Sequence, residues 1–164
     1  LRDEAAISSE KMKKINLAEV VKSVVDDFNS VYDTKKSIAI NFKTNGQNNY
    51  EILAIENRIE QIIANLLENS ISFSEKNQAI DVELAKKDED KITLIVSDEG
   101  VGFNENDTNK IFNRFYSNRP EKFGEHSGLG LNIVKNLVEI HGGEITASNN
   151  EDKGARIEIN FPKA

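Results

Sequence analysis

The strongest constraint on this chain lies between residues 98 and 131, where two glycine turns bracket a polar stretch. An apolar run, Ile92–Val96, leads into Asp98-Glu-Gly-Val-Gly102, and Ser127-Gly-Leu-Gly-Leu131 later opens a helical pattern. Glycine lets a backbone approach a phosphate closely, and a helix N-terminus behind it supplies oriented N–H groups. A strand ending in an acidic glycine turn, then a polar segment, then a glycine-opened helix is the layout expected of a nucleotide held under a lid. Such a chain needs a sheet to carry the first turn and a helix to carry the second.

The remaining periodicity supplies both layers. Leu17, Val20, Val21, Val24, Val25 and Phe28 keep a 3.6-residue period behind Asn16, which with Glu19 forms a capping-box-like start. Asn57–Phe73 is a second predicted helix, with Ile59, Ile62, Ile63, Leu66 and Leu67 on one side. Leu129–Ile140 is a third, closed by His141-Gly142-Gly143, so His141 is expected to meet the last helical carbonyls. Alternation predicts strands at Ser37–Lys43, Tyr50–Ala54, Ala79–Ala85, Ile92–Ser97, Glu144–Ser148 and Ala155–Phe161. Asn45-Gly46 marks a turn, and Lys86–Lys91 a charged turn between paired strands. Helices interspersed with antiparallel strand pairs give an α+β fold, a two-layer α/β sandwich. Residues 1–14 are polar without an apolar face, the expected linker or end of a preceding helix, and 15–164 form one domain.

Composition removes several classes of function. With 164 residues, 38% hydrophobic and 30% charged, the chain suits one globular domain. A net charge of −7 argues against a nucleic-acid binder. The absence of cysteine excludes disulfides, thiolate zinc sites and thiol nucleophiles, and two histidines argue against a His-built metal site. No stretch approaches the roughly 20 apolar residues of a membrane span. A start at Leu1 without Met fits a piece of a longer protein.

Within this frame a few side chains can carry chemistry. Asn65 and Asn69 lie four apart on one helix face, and two neutral amide oxygens there suit Mg²⁺ beside phosphate oxygens. The plainer reading is a general Asn bias. Glu68 between them is expected in solvent. Asp98 at a strand end can accept from the exocyclic amine of adenine, with Gly100 and Gly102 letting the base lie against the backbone; the plain reading is an ordinary acidic turn. In Ile111-Phe-Asn-Arg-Phe-Tyr116, Phe112 and Phe115 read as anchors in the core. Arg114 and Arg119 are the candidates to stabilise charge on a transferring phosphoryl group. Lys135 is expected to point to solvent, and neither His126 nor His141 has an acid partner that would make a dyad.

Taken together, these segments resemble the catalytic and ATP-binding domain of bacterial sensor histidine kinases over roughly residues 16 to 162. Asn65-Leu-Leu-Glu-Asn69-Ser resembles the N box, Asp98-Glu-Gly-Val-Gly102 the first glycine box, and Ile111–Tyr116 the F box. Ser127–Leu131 with His141-Gly-Gly143 resembles the second glycine box and its helix, and Gly154-Ala-Arg156 through Phe161-Pro162 the closing pattern. Phe115-Tyr-Ser-Asn-Arg-Pro120 is similar to ChvG-type envelope-stress kinases.

The resemblance implies the Bergerat fold, a mixed sheet of about five strands under three helices with an ATP lid. It implies ATP and Mg²⁺ as ligands, with Asp98 on the adenine amine and Asn65 and Asn69 on metal and phosphate. Gly128, Leu129, Gly130 and Leu131 would cradle the phosphates, and Phe73, Gly100, Gly102, Ile111, Tyr116 and Ser127 complete the ATP-binding set. Arg114 and Arg119 are the catalytic candidates.

The implied reaction moves the γ-phosphoryl to a histidine on a separate dimerisation domain, for relay to a response regulator. No phosphoacceptor motif is present in this chain. The parent is then expected to be a homodimer with this part in the cytoplasm, contacting neither membrane nor nucleic acid and monomeric by itself. Two positions depart from the family, Ser72 and Ser117, where basic residues are usual. They leave open a nucleotide sensor without chemistry. A MutL- or Hsp90-type ATPase and an anti-sigma serine kinase, both on the same fold, stay open as rival functions.

Overall fold

Strand β5 (Lys91–Asp98) is the middle strand of the main sheet, and Ile92 to Val96 are buried on both of its faces. The computed structural model describes residues 11–35, 37–45, 49–103, 108–113 and 129–164. Ile92, Leu94, Val96 and Asp98 are all at most 2% exposed. These four share one face of the strand, since successive side chains alternate. β5 pairs antiparallel with β4 (Ala79–Asp88) on one side and β7 (Ala155–Pro162) on the other. β2 (Ala39–Asn45) adds parallel to β4, and β6 (Glu144–Asn149) adds antiparallel to β7. The result is a five-stranded mixed sheet in the order β2-β4-β5-β7-β6.

Three helices supply the second layer, as expected for an α+β sandwich: α1 (Leu17–Lys35), α2 (Glu56–Ser72) and α3 (Leu129–Ile140). Ile59, Ile62, Ile63, Leu66 and Leu67 of α2 join Ile80, Val82 and Leu84 of β4 in one core with Val134 and Val138 of α3. Each fully buried aliphatic side chain contributes on the order of 1.5–3 kcal/mol, so this shared core dominates the stability of the layer arrangement. The opposite sheet face is mostly polar, although Ala85, Thr93 and Ile95 are buried on it. There Lys87 and Arg156 pair with Glu158 at 3.3 and 3.1 Å. No described helix is long and apolar enough to cross a membrane.

The structure changes several details of the sequence reading. Lys13–Asn16 forms strand β1, antiparallel to β3 (Glu51–Ala54), a separate two-stranded sheet that the polar pattern of the first residues does not signal. Asn16 then caps α1 as expected, its Oδ1 accepting from the Ala18 N–H at 3.0 Å. Helix α1 runs on past Phe28 to Lys35, where Phe28 and Tyr32 stack with ring centroids 5.9 Å apart. β2 starts at Ala39 rather than Ser37, whose φ of 54° is left-handed. The β4 and β5 strands extend further towards each other than expected, because backbone pairing continues through charged residues whose side chains face water.

Candidate nucleotide-binding site

Asp98 is the last residue of the central strand, and its side chain points to the helix layer although it is a carboxylate. Such a group needs fixed partners, since an unpaired buried carboxylate is strongly disfavoured. The chain supplies them from two loops. Oδ1 accepts from the Gly100 N–H at 2.9 Å and from the Ala155 N–H at 3.1 Å. The Asp98 carbonyl accepts from the Asn150 side-chain amide at 3.0 Å. Carboxylate and backbone are therefore both locked, which keeps the acceptor group aimed.

Glycine is required around this carboxylate for steric reasons. A Cβ on Gly100 would stand 2.3 Å from the Phe73 carbonyl oxygen, so the turn lies directly on the end of α2. Gly102 has φ +74° and Gly154 φ +97°, both in the region that L side chains rarely adopt. A Cβ on Gly154 would meet the Asp98 carbonyl oxygen at 1.9 Å.

Helix α2, whose end packs on this turn, carries the two asparagines. Asn65 is half-buried, Asn69 is 6% exposed and Glu68 faces solvent, as expected of a helix with one side against the core. Asn69 Oδ1 is buried and has no hydrogen-bond partner among the described residues. A buried amide oxygen without a donor costs roughly 1–3 kcal/mol, so it fits a site whose ligand supplies the partner. The helix ends without a basic residue in its last turn. Ser72 Oγ instead donates to the Asn69 carbonyl at 2.8 Å, and Ser74 Oγ to the Ser70 carbonyl at 2.7 Å. Ser72, at the family's usual basic position, thus closes its own helix rather than facing a phosphate. Phe73 is buried and forms the C-cap, with its carbonyl beside Gly100.

Helix α3 begins at Leu129. A Cβ on Gly130 would meet no atom within 4 Å among the described residues, so no steric contact with them demands glycine there. Leu131 is buried in the core behind the helix start, which places it under the cleft rather than facing into it. Ile111 and Phe112, in the short 3₁₀ turn Thr108–Phe112, are buried too. Phe112 is thus an anchor, as expected. Asn132 Nδ2 donates to its carbonyl at 3.1 Å. Lys135 does not simply point to solvent: its ammonium lies 5.8 Å from the Phe112 ring centroid, within cation–π reach. Arg114, Phe115, Tyr116, Ser117, Arg119, His126, Ser127 and Gly128 lie outside the described residues.

His141 is the group whose role the sequence shows only in part. Its Nδ1 lies 2.8 Å from the Leu137 carbonyl, the expected helix-end contact. Its Nε2 also accepts from the Ile55 N–H at 3.2 Å. Ile55 is the N-cap of α2 and has no side-chain cap of its own. The imidazole therefore joins the end of α3 to the start of α2. Nothing in the local sequence signals that bond, because its partners lie 86 residues apart.

A carboxylate is thus locked at a glycine turn that packs on the end of α2, and that helix carries a buried amide oxygen without a partner among the described residues. The family described as "Histidine kinase-, DNA gyrase B-, and HSP90-like ATPase" matches residues 54–164. The chain belongs to that family. It is similar to the sensor protein ChvG of Agrobacterium fabrum, 35% identical over 99% of this chain and 29% of that protein. The sensor histidine kinase WalK of Bacillus subtilis is 34% identical over 65% of this chain and 18% of its own length. This chain thus spans under a third of the curated relatives it matches. Among solved structures, the catalytic domain of histidine kinase ThkA superposes with a TM-score of 0.80 and 27% identity, covering 94% of this chain and 97% of that one. The domain is an ATP-binding ATPase-family domain of histidine kinase type, as the motif order led us to expect.

Proposed function

We propose that the domain binds Mg·ATP and presents its γ-phosphoryl to a histidine on a dimerisation domain outside this chain. The observation that carries this reading is Asp98: a carboxylate 2% exposed, locked by two backbone amides at a glycine turn, beside the helix bearing Asn65 and Asn69. In this reading Asp98 accepts from the exocyclic amine of adenine, which selects the base. Asn65 and Asn69 hold the metal and phosphate oxygens with neutral amide oxygens, and Asn69 Oδ1, without a partner among the described residues, fits that task. Mg²⁺, when bound, supplies charge neutralisation. Gly128, Leu129, Gly130 and Leu131 offer N–H groups at the start of α3. Arg114 and Arg119 stabilise charge on the phosphoryl during transfer, and Phe73, Ile111, Tyr116 and Ser127 complete the walls.

The reaction breaks the bond between the γ-phosphorus and the bridging oxygen, releases ADP, and forms a P–N bond at the acceptor imidazole. It asks mainly for positioning and charge stabilisation from the protein. The acceptor domain precedes β1 in the parent, a homodimer whose cytoplasmic part includes this domain. A response regulator takes the phosphoryl next; histidine kinase ThkA has been crystallised with the response regulator TrrA.

Thermal unfolding tests the pocket. At about 100 times its dissociation constant Mg·ATP stabilises by roughly 2.7 kcal/mol. At roughly 2–4 °C per kcal/mol for a domain of this size, the midpoint should rise by about 5–10 °C. Asp98→Asn should lose that rise. Equal shifts in both proteins, or none in the wild type, would remove the adenine assignment. Phosphohistidine on an added acceptor domain then separates transfer from mere sensing.

A further inference from the structure

Asn149 ends β6 and belongs to none of the motifs that mark the cleft. It pairs with Ala155 on β7, and the Ala155 N–H donates to Asp98 Oδ1 at 3.1 Å, so Asn149 and Asp98 lie in one row across three strands. Strand alternation puts Asn149 on the same side as Ile145 and Ala147, which pack against the core. There its amide makes two bonds to one residue. Oδ1 accepts from the Phe103 N–H at 2.7 Å, and Nδ2 donates to the Phe103 carbonyl at 2.9 Å. A single planar side chain satisfies both backbone groups of Phe103, as a neighbouring strand would.

The approach is close enough to dictate the adjacent residue. A Cβ on Gly102 would stand 2.7 Å from Asn149 Oδ1, so this bond and the glycine depend on each other. Asn150 secures the other end of the same segment. Its Nδ2 donates to the Asp98 carbonyl at 3.0 Å, and its N–H donates to the Gly154 carbonyl at 2.9 Å. Residues 98 to 103 are thus held at both ends by consecutive asparagines from the far side of β7.

We infer that Asn149 is a positioning residue for nucleotide recognition, pinning Gly102 and Phe103 so that the Asp98–Gly102 turn meets adenine in one conformation. The inference rests on the reading of Asp98 as the adenine acceptor. Recognition by a turn requires its backbone to be fixed before the ligand arrives, and a misplacement of about 1 Å can cost about a hundredfold. Only a side chain with an acceptor and a donor in one plane, at this reach, makes both bonds. Asp would keep the acceptor and set a negative oxygen against the Phe103 carbonyl; Ala would make neither bond. Asn149 is exposed at its outer edge, so replacing it leaves the core filled.

The test measures ADP affinity by calorimetry and midpoint by thermal unfolding in wild type, Asn149→Ala, Asn149→Asp, Asp98→Asn and Asn160→Ala. Asn160 is the structural control: its Oδ1 accepts from the Thr93 hydroxyl at 2.6 Å, towards the opposite end of β7. Both Asn149 variants should weaken ADP by about tenfold or more, narrow the preference for ADP over GDP, and speed hydrogen exchange at the Phe103 amide. Asn160→Ala should lower the midpoint while leaving ADP affinity within about twofold and the base preference unchanged. Wild-type ADP affinity in the Asn149 variants, with Asp98→Asn defective, overturns this inference and leaves the adenine reading standing. The same follows if Asn160→Ala loses as much affinity per degree of midpoint. Wild-type affinity in Asp98→Asn overturns both.

Discussion

Gly154 shows how much of the site depends on a residue that carries no chemistry. Its φ of +97° is costly for any L side chain, and an added Cβ would stand 1.9 Å from the Asp98 carbonyl oxygen. Gly154→Ala is therefore expected to cost about 2–5 kcal/mol, combining left-handed strain with an overpacked contact. Its midpoint should fall by several degrees, and ADP binding should fall with it because Asp98 must shift. A variant with the wild-type midpoint would show that the β6–β7 loop yields freely, and Asp98 would then not be rigidly held. At this scale the residues proposed to touch a ligand are legible in the sequence, and those that hold them are not. Asp98, Gly100 and Gly102 announce themselves by their order in a short turn. Asn149, Asn150, Gly154 and Ala155 act on that turn from about 50 residues away, and a single sequence carries no trace of such pairing. Arg114 and Arg119 remain assignments from motif position alone.

Secondary-structure elements were legible where burial is one-sided. The stripe on α2 and the alternation in β7 each encode which face is covered, and both appear as expected. β1 was not legible, because Lys13, Lys14 and Asn16 carry no apolar alternation and the strand exists through backbone pairing with β3. The link between α3 and α2 was half legible: a histidine before Gly142-Gly143 reads as a helix end, yet its second nitrogen serves another helix. His141→Ala tests that link. It removes the acceptor of the Ile55 N–H, which heads a helix with no side-chain cap, and leaves a hole at a position only 7% exposed. The lost bond alone should cost about 1–3 kcal/mol. At roughly 2–4 °C per kcal/mol the midpoint should fall by at least about 2 °C. Because α2 also carries Asn65 and Asn69, Mg·ATP affinity should weaken as well. An unchanged midpoint would mean that water or a local shift satisfies the Ile55 amide.

At the scale of the molecule, the two-layer arrangement sets an electrostatic problem that the cleft must solve. The chain carries a net charge of −7, and the groups proposed to meet the nucleotide are a carboxylate, amides, backbone N–H groups and the two cations Arg114 and Arg119. A triphosphate entering it meets like charge at long range and, among the described residues, no group of three His, Cys, Asp or Glu side chains able to hold a metal by itself. Asn65 and Asn69 can complete a cation's shell beside phosphate oxygens but cannot neutralise a phosphate themselves. Arg114 and Arg119 supply at most two of the positive charges, so part of the countercharge arrives with the nucleotide, and base recognition and phosphate binding should respond differently to metal removal. EDTA is expected to weaken ATP by about tenfold or more, equivalent to about 1.4 kcal/mol, while adenosine binding through Asp98 stays the same. Asn69→Ala in the presence of Mg²⁺ should reproduce the loss for ATP and spare adenosine. Calorimetry with both ligands, with and without EDTA, separates the two contributions. If ATP affinity proves independent of the metal, the protein neutralises the phosphates with its own cations, and the metal-holding role of Asn65 and Asn69 falls while the adenine pocket stands.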